Sequence, residues 1–188
     1  MVTEGLHEKV EKLILKHSKK GIIVNLGCED WWPKLNGYIV HNVDIDPSKT
    51  GAPNFKLWNL NKAPYPYPDN YADVVLSVEV IEHLENPWLH MREIKRILKP
   101  NGTAIITTPN ILCPESKKLF LETGYFTWFK PENIDKHPWW TSHINPIPKW
   151  ELQLICRRIN LKVEEEHYHP PNTQINLIMV IKKLKQLN

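Results

Sequence analysis

Residues 22–46, IIVNLGCEDWWPKLNGYIVHNVDID, constrain this chain more than any other stretch. An apolar run over 22–26 predicts a buried strand that ends at Gly27, where a missing Cβ lets the backbone approach a ligand closely. A second apolar run over 39–43 predicts another strand, ending at Asp44. A carboxylate at that place can accept hydrogen bonds from both hydroxyls of a ribose. Strand, glycine turn, strand and terminal acid together are the front half of a nucleotide-binding βαβ unit.

The glycines narrow the choice of nucleotide. A dinucleotide fold uses about three of them, as G-x-G-x-x-G, to set pyrophosphate on a helix N-terminus. Here Gly27 is followed by Cys28, Glu29, Asp30 and two tryptophans. Two acids at the pyrophosphate position would repel it, which argues against NAD and an oxidoreductase. A ribose and adenine joined to a cationic group tolerates those acids, and S-adenosyl-L-methionine meets that description. Asp44 also follows Gly27 sooner than the roughly 20 residues of a dinucleotide unit.

Four segments in order then resemble one family. VNLGCE resembles the first cofactor motif of class I S-adenosylmethionine-dependent methyltransferases, and NVDIDP their ribose-binding strand end. WNLNKAPYPYPDNYADVVLSVEVIEHLENP resembles the adenine loop, fourth strand and following turn, and REIKRILKPNGTAIITTPN the next helix, turn and strand. The chain is similar to the small single-domain "methyltransferase type 11" group, with a degenerate first motif. The resemblance implies an α/β, Rossmann-like doubly wound fold: a mostly parallel seven-stranded sheet with helices on both faces. It implies an enzyme whose cofactor is held by Asn25, Gly27, Cys28, Asp44, Ile45, Asn59, Leu60 and Glu79. The departures are Asn25 for an acid, Glu29 and Trp31 for glycines, and Asn59 for Asp. They keep a rival reading open, a non-catalytic binding module on the same fold.

At 188 residues, with 41% hydrophobic and 24% charged content, the chain suffices for one globular domain burying roughly 70% of its unfolded surface. No apolar run reaches the ~20 residues of a membrane span. Cys28, Cys113 and Cys156 stand far apart with no C-x-x-C spacing, which argues for a reducing, cytoplasmic setting. A net charge of +3, with lysines interleaved among glutamates near the N-terminus, argues against a nucleic-acid partner.

Strands are predicted over 22–26, 39–43, 54–58, 73–78, 103–108, 161–168 and 175–182, and helices over 4–18, 86–98 and 148–159. Asn86-Pro87 supplies an N-cap and first helical position, and Lys99-Pro100-Asn101-Gly102 a stopping turn. Pro33 limits the first crossover to one or two helical turns, and 50–54 leaves no room for a second helix, so the fold is trimmed between strands one and three. Residues 109–147 show no clear period and are rich in Pro, Trp and Phe. They read as an insertion that forms the acceptor pocket or lid. Trp31 and Trp32 are expected to cover the cofactor.

Glu79, Glu82 and His83 share one face if the segment after strand four turns helically. Two carboxylates and an imidazole suit Mg²⁺ or another divalent cation. Relatives with E-x-x-E-H here include ubiquinone-pathway O-methyltransferases and small-RNA 2′-O-methyltransferases. The resemblance to the latter adds His143 as a further ligand, and an RNA 2′-O-methyltransferase is therefore a second rival. His83 and His143 are the candidate catalytic bases. The expected reaction is O-methylation of a small-molecule or glycan-type acceptor.

Overall fold

The apolar runs become strands that hydrogen-bond laterally into one sheet. In a computed structural model that describes residues 3–185, seven strands lie in the order β3-β2-β1-β4-β5-β7-β6. They are β1 (Gly21–Leu26), β2 (Tyr38–Asp44), β3 (Phe55–Leu57), β4 (Ala72–Val78), β5 (Leu98–Pro109), β6 (Leu161–His169) and β7 (Asn176–Lys183). The first five pair in parallel, and β7 runs antiparallel to β5 and β6. The strand order reverses between β1 and β4, so the crevice beyond their carboxyl ends is where such a sheet binds ligands.

Alternate residues of each strand feed opposite faces. On one face Ile23, Val74, Leu76, Ile105 and Ile178 pack against Leu6, Val10, Leu13 and Ile14 of helix α1 (Leu6–His17). On the other, Val24, Val75, Ala104 and Ile106 meet Met91, Ile94 and Ile97 of α2 (Pro87–Ile97). Leu152 and Ile155 of the last helix (Lys149–Arg158) join that second face. Asn86 caps α2 as predicted, its side chain accepting from the Leu89 N–H at 2.9 Å. Among the described residues no helix is long and apolar enough to cross a membrane.

Three expectations change. No helix forms between β1 and β2; Trp31, Trp32 and Leu35 pack against the α1 cluster in its place. The anticipated turn at 99–102 is carried as a bulge inside β5, with Ala72 paired to Leu98 and Val74 to Thr103. Residues 109–147 contain two helices, α3 (Pro114–Thr123) and α4 (Pro131–Ile134), and a single 3₁₀ turn at Trp139–Thr141. Of α3 only Ser116 is buried, so it carries no apolar stripe; Pro114 at its start and the left-handed Gly124 at its end were the available signals. The last helix is α5.

Candidate active site

At the end of β1 the chain reverses over Gly27, whose φ is 68°. The N–H groups of Gly27 and Cys28 both reach the Val43 carbonyl, at 2.8 and 3.0 Å. A Cβ on Gly27 would lie 2.5 Å from Val80 Cγ2, so the close packing itself requires glycine. Glu29 also takes a left-handed conformation, φ 47°, and this aims its N–H at Asp44 Oδ2, 2.8 Å away. Asp46 N–H donates to Asp44 Oδ1 at 3.0 Å. The Asp44 carboxylate is thus fixed by two backbone donors at the edge of a crevice of about 450 Å³.

Gly27, Asp44, Ile45, Asn59, Leu60, Glu79, His83 and His143, all singled out in the sequence, line that crevice. Asn25 and Cys28 do not. The Asn25 amide points into the sheet and donates to Trp31 O at 2.9 Å and Asn42 Oδ1 at 3.1 Å, so it braces the first loop from beneath. Cys28 is buried, and its thiol is pushed up to about 12 by burial and then by the charge of Asp44. Trp31 stacks on His7 with ring centroids 4.2 Å apart, away from the crevice it was expected to cover. Lys49, Trp58 and Asn61 also line it and were missed. The position of WNLN just past β3 was the signal for two of them.

The other part of the crevice begins at Glu79, whose φ of 54° turns the chain sharply after β4. The following 3₁₀ turn, Ile81–His83, is too tight to set Glu79, Glu82 and His83 on one helical face. Glu79 instead accepts from Thr107 Oγ1 at 2.7 Å and Asn176 Nδ2 at 2.8 Å. Glu82 Oε2 accepts from Thr108 Oγ1 at 3.2 Å. The insertion docks on this turn: the Ile144 and Asn145 N–H groups both donate to the Glu82 carbonyl at 2.9 Å, and the Asn145 side chain to Leu84 O. His83 Nδ1 donates to Ser142 O at 2.9 Å, and the His83 and His143 rings lie 4.6 Å apart, edge to face. Trp139, Trp140 and Thr141 complete the wall above them.

Against known proteins, the chain matches the family described as "Methyltransferase domain" over residues 2–166. The chain belongs to the class I S-adenosylmethionine-dependent methyltransferase family. A probable S-adenosylmethionine-dependent methyltransferase of Mycobacterium tuberculosis is 38% identical over 58 residues, 31% of this chain and 21% of its own length. A ubiquinone biosynthesis O-methyltransferase of Rickettsia bellii is 31% identical over 101 residues, 52% of this chain and 38% of its own. The chain therefore spans about a fifth to two fifths of the curated relatives it matches. In fold it is similar to a methyltransferase from Methanosarcina mazei, with a TM-score of 0.70 and 14% identity over 93% of this chain and 98% of that one.

In this methyltransferase-family site burial shifts the acidities of Glu79, Glu82, His83 and His143. Burial pushes the His83 imidazole down to about 4 and His143 down to about 3, the latter helped by its neighbour His83. Both rings are therefore neutral near pH 7, and burial makes them weak bases. Burial raises the Glu79 and Glu82 carboxyls, and for Glu82 the charge of Glu79 adds to it. Glu82, His83 and His143 each offer one ligand atom, all within 4.8 Å of one another. Among the described residues Glu82 Oε1 and His143 Nδ1 are buried without a hydrogen-bond partner. Unpartnered acceptor-type atoms on two residues of this cluster are chemistry that a divalent cation could satisfy. Glu79, the fourth residue expected in that set, lies outside it.

Proposed function

We propose that this protein is an S-adenosylmethionine-dependent methyltransferase that methylates an oxygen of a small-molecule acceptor. The observation that carries the reading is a single crevice joining Asp44 and Asn59 at one end to His83 and His143 at the other. The Rickettsia relative, named for ubiquinone biosynthesis, supports oxygen as the methylated atom. Asp44 would take the ribose hydroxyls; its oxygens have lone pairs left after the two backbone bonds. The β3–β4 loop, through Asn59 and Leu60, would take the adenine. The insertion, 109–147, would hold the acceptor beneath Trp139 and Trp140.

The chemistry is an in-line displacement, and alignment alone can supply ~7–11 kcal/mol. The acceptor oxygen attacks the methyl carbon, and the carbon–sulfur bond breaks with its electrons going to sulfur. The acceptor's proton goes to an imidazole. His83 donates through Nδ1 to Ser142, so its Nε2 carries the free lone pair. With a divalent ion held by Glu82, His83 and His143 instead, both imidazoles would be ligands and the acceptor's proton would leave to water; two imidazoles with one carboxylate suit a first-row transition ion better than the all-oxygen shell of Mg²⁺. An ion there would make the acceptor hydroxyl more acidic. The three cysteines are free and buried, in keeping with a cytoplasmic setting.

Calorimetric titration with S-adenosylmethionine and S-adenosylhomocysteine, with and without Mn²⁺ or Mg²⁺, tests the reading. Micromolar cofactor binding is expected, and Mn²⁺ binding that disappears in Glu82→Gln. Absence of cofactor binding below millimolar in every condition would overturn it in favour of a non-catalytic module.

A further inference from the structure

Behind the crevice wall lies a chain of buried polar side chains that touches neither end of the proposed reaction. Tyr65 Oη is 2.9 Å from the Leu60 carbonyl, 2.7 Å from His90 Nδ1, and His90 Nε2 is 2.9 Å from Ser77 Oγ. Ser77 and His90 are fully buried and Tyr65 is 2% exposed. The direction of every bond follows from the donors available. A carbonyl only accepts, so the single phenol proton goes to Leu60. The phenol oxygen must then accept from a His90 Nδ1–H. A neutral imidazole protonated there has its lone pair on Nε2, which takes the Ser77 hydroxyl proton. Burial holds the imidazole neutral, down to about 3.

The two ends of this chain adjoin the crevice. Ser77 precedes Val78 and Glu79 at the end of β4, which line the crevice, and Leu60 at the other end of the chain lines it too. The peptide joining Leu60 to Asn61 is pinned at both sides. Its carbonyl accepts from Tyr65 and its N–H donates to Asn59 Oδ1 at 2.9 Å. That second bond engages the Asn59 oxygen and leaves its amide N–H groups as the donors available to a ligand. None of Ser77, His90 or Tyr65 lines the crevice itself.

We infer that Ser77, His90 and Tyr65 are positioning residues that lock Leu60 and Asn59 in the conformation that receives the adenine of the cofactor. The inference rests on the function proposed above. It assigns to α2, through His90, control of cofactor affinity without contact to cofactor or acceptor. Tyr65 is also held by its backbone, which donates to Glu93 Oε2 at 2.6 Å, and its carbonyl accepts from Arg96 at 3.1 Å. Tyr65→Phe therefore removes the hydroxyl while the ring stays anchored.

The test is S-adenosylhomocysteine titration of the full chain, wild type beside Tyr65→Phe, His90→Leu, His90→Asn and the Tyr65→Phe/His90→Leu pair, with melting curves for each. Tyr65→Phe and His90→Leu should each weaken binding roughly tenfold, about one buried hydrogen bond. The pair should be no weaker than either alone, because both break the same chain. His90→Asn, whose amide N–H can replace Nδ1–H, should bind within about twofold of wild type, given that the bond to Tyr65 is kept. In turnover the cofactor KM should rise with the acceptor KM unchanged. Wild-type affinity in Tyr65→Phe despite a lower melting temperature, or full additivity in the pair, would overturn the inference. Wild type that fails to bind would instead remove the proposed function.

Discussion

The two ends of the crevice are built in different ways. The Asp44 end is made by the ends of two neighbouring strands, β1 and β2: a glycine that cannot accept a Cβ, and a carboxylate caught by the backbone N–H groups of Glu29 and Asp46. The His143 end is made by segments some sixty residues apart, with the insertion bonded to the 3₁₀ turn through Glu82 O, Ser142 O and Leu84 O. Local backbone geometry fixes the first, and long-range docking the second. Under the function proposed above this is a division of labour: a locally built end for the cofactor, and a docked end where acceptor choice could change without disturbing the sheet.

Removing His143 makes the sharpest test of that division. His143→Ala should lower kcat by about 10²–10⁴, the range for loss of a positioned acid–base group, with cofactor affinity held within about twofold. A parallel loss of cofactor affinity would show that the two ends are one unit. Asp44→Ala should do the converse. It frees two backbone N–H groups and deletes the acceptor for the ribose, and at about 1.5–3 kcal/mol for each charge-assisted bond the cofactor dissociation constant should rise roughly 100-fold. Mn²⁺ affinity, read in the same calorimeter, should not move. A coupled loss would again break the division.

The same division explains what the sequence made legible. The strands, α1, α2, α5 and the Gly27–Asp44 turn rest on periodicity, capping and glycine chemistry within short windows, and they lie where those patterns place them. The trimmed first crossover was foreseen from Pro33, but the loss of the helix altogether was not, because the tryptophans that replace it carry no period. At the His143 end, local spacing misled. E-x-x-E-H suggests one helical face, yet the left-handed turn at Glu79 sends that carboxylate to Thr107 and Asn176 on β5 and β7. No pattern within a window reveals a partner about a hundred residues away. The Asn25 amide is directed to Trp31 O and Asn42 Oδ1 rather than into the crevice, a placement that follows from the pairing of β2 beside β1.

A stability measurement sharpens the rigid end. Gly27→Ala places a Cβ 2.5 Å from Val80 Cγ2 on a backbone with φ 68°. Strain and overpacking together should cost about 1–3 kcal/mol, seen as a fall of several degrees in the melting temperature. A variant as stable as wild type would mean that the turn relaxes, and that this end is less rigid than the close approach of Val80 implies.

The smallest effect concerns the buried relay behind the crevice. His90 titrates at about 3 in the folded chain and at its ordinary value near 6.5 once unfolded, because burial disfavours the imidazolium. The folded state thus binds fewer protons at this ring between those two values. Its contribution to stability is complete above pH 6.5 and declines as the pH falls toward 3. The slope is about 1.4 kcal/mol per pH unit for one proton. His90→Asn removes that titration while keeping a donor toward Tyr65. Between pH 6 and 4 its unfolding free energy, measured by urea denaturation, should therefore decline less steeply than wild type by about that slope. Parallel curves would mean that His90 is charged or hydrated inside the fold. The directions assigned to the Tyr65–His90–Ser77 bonds would then fail, and the rigid end of the crevice would lose its support from α2.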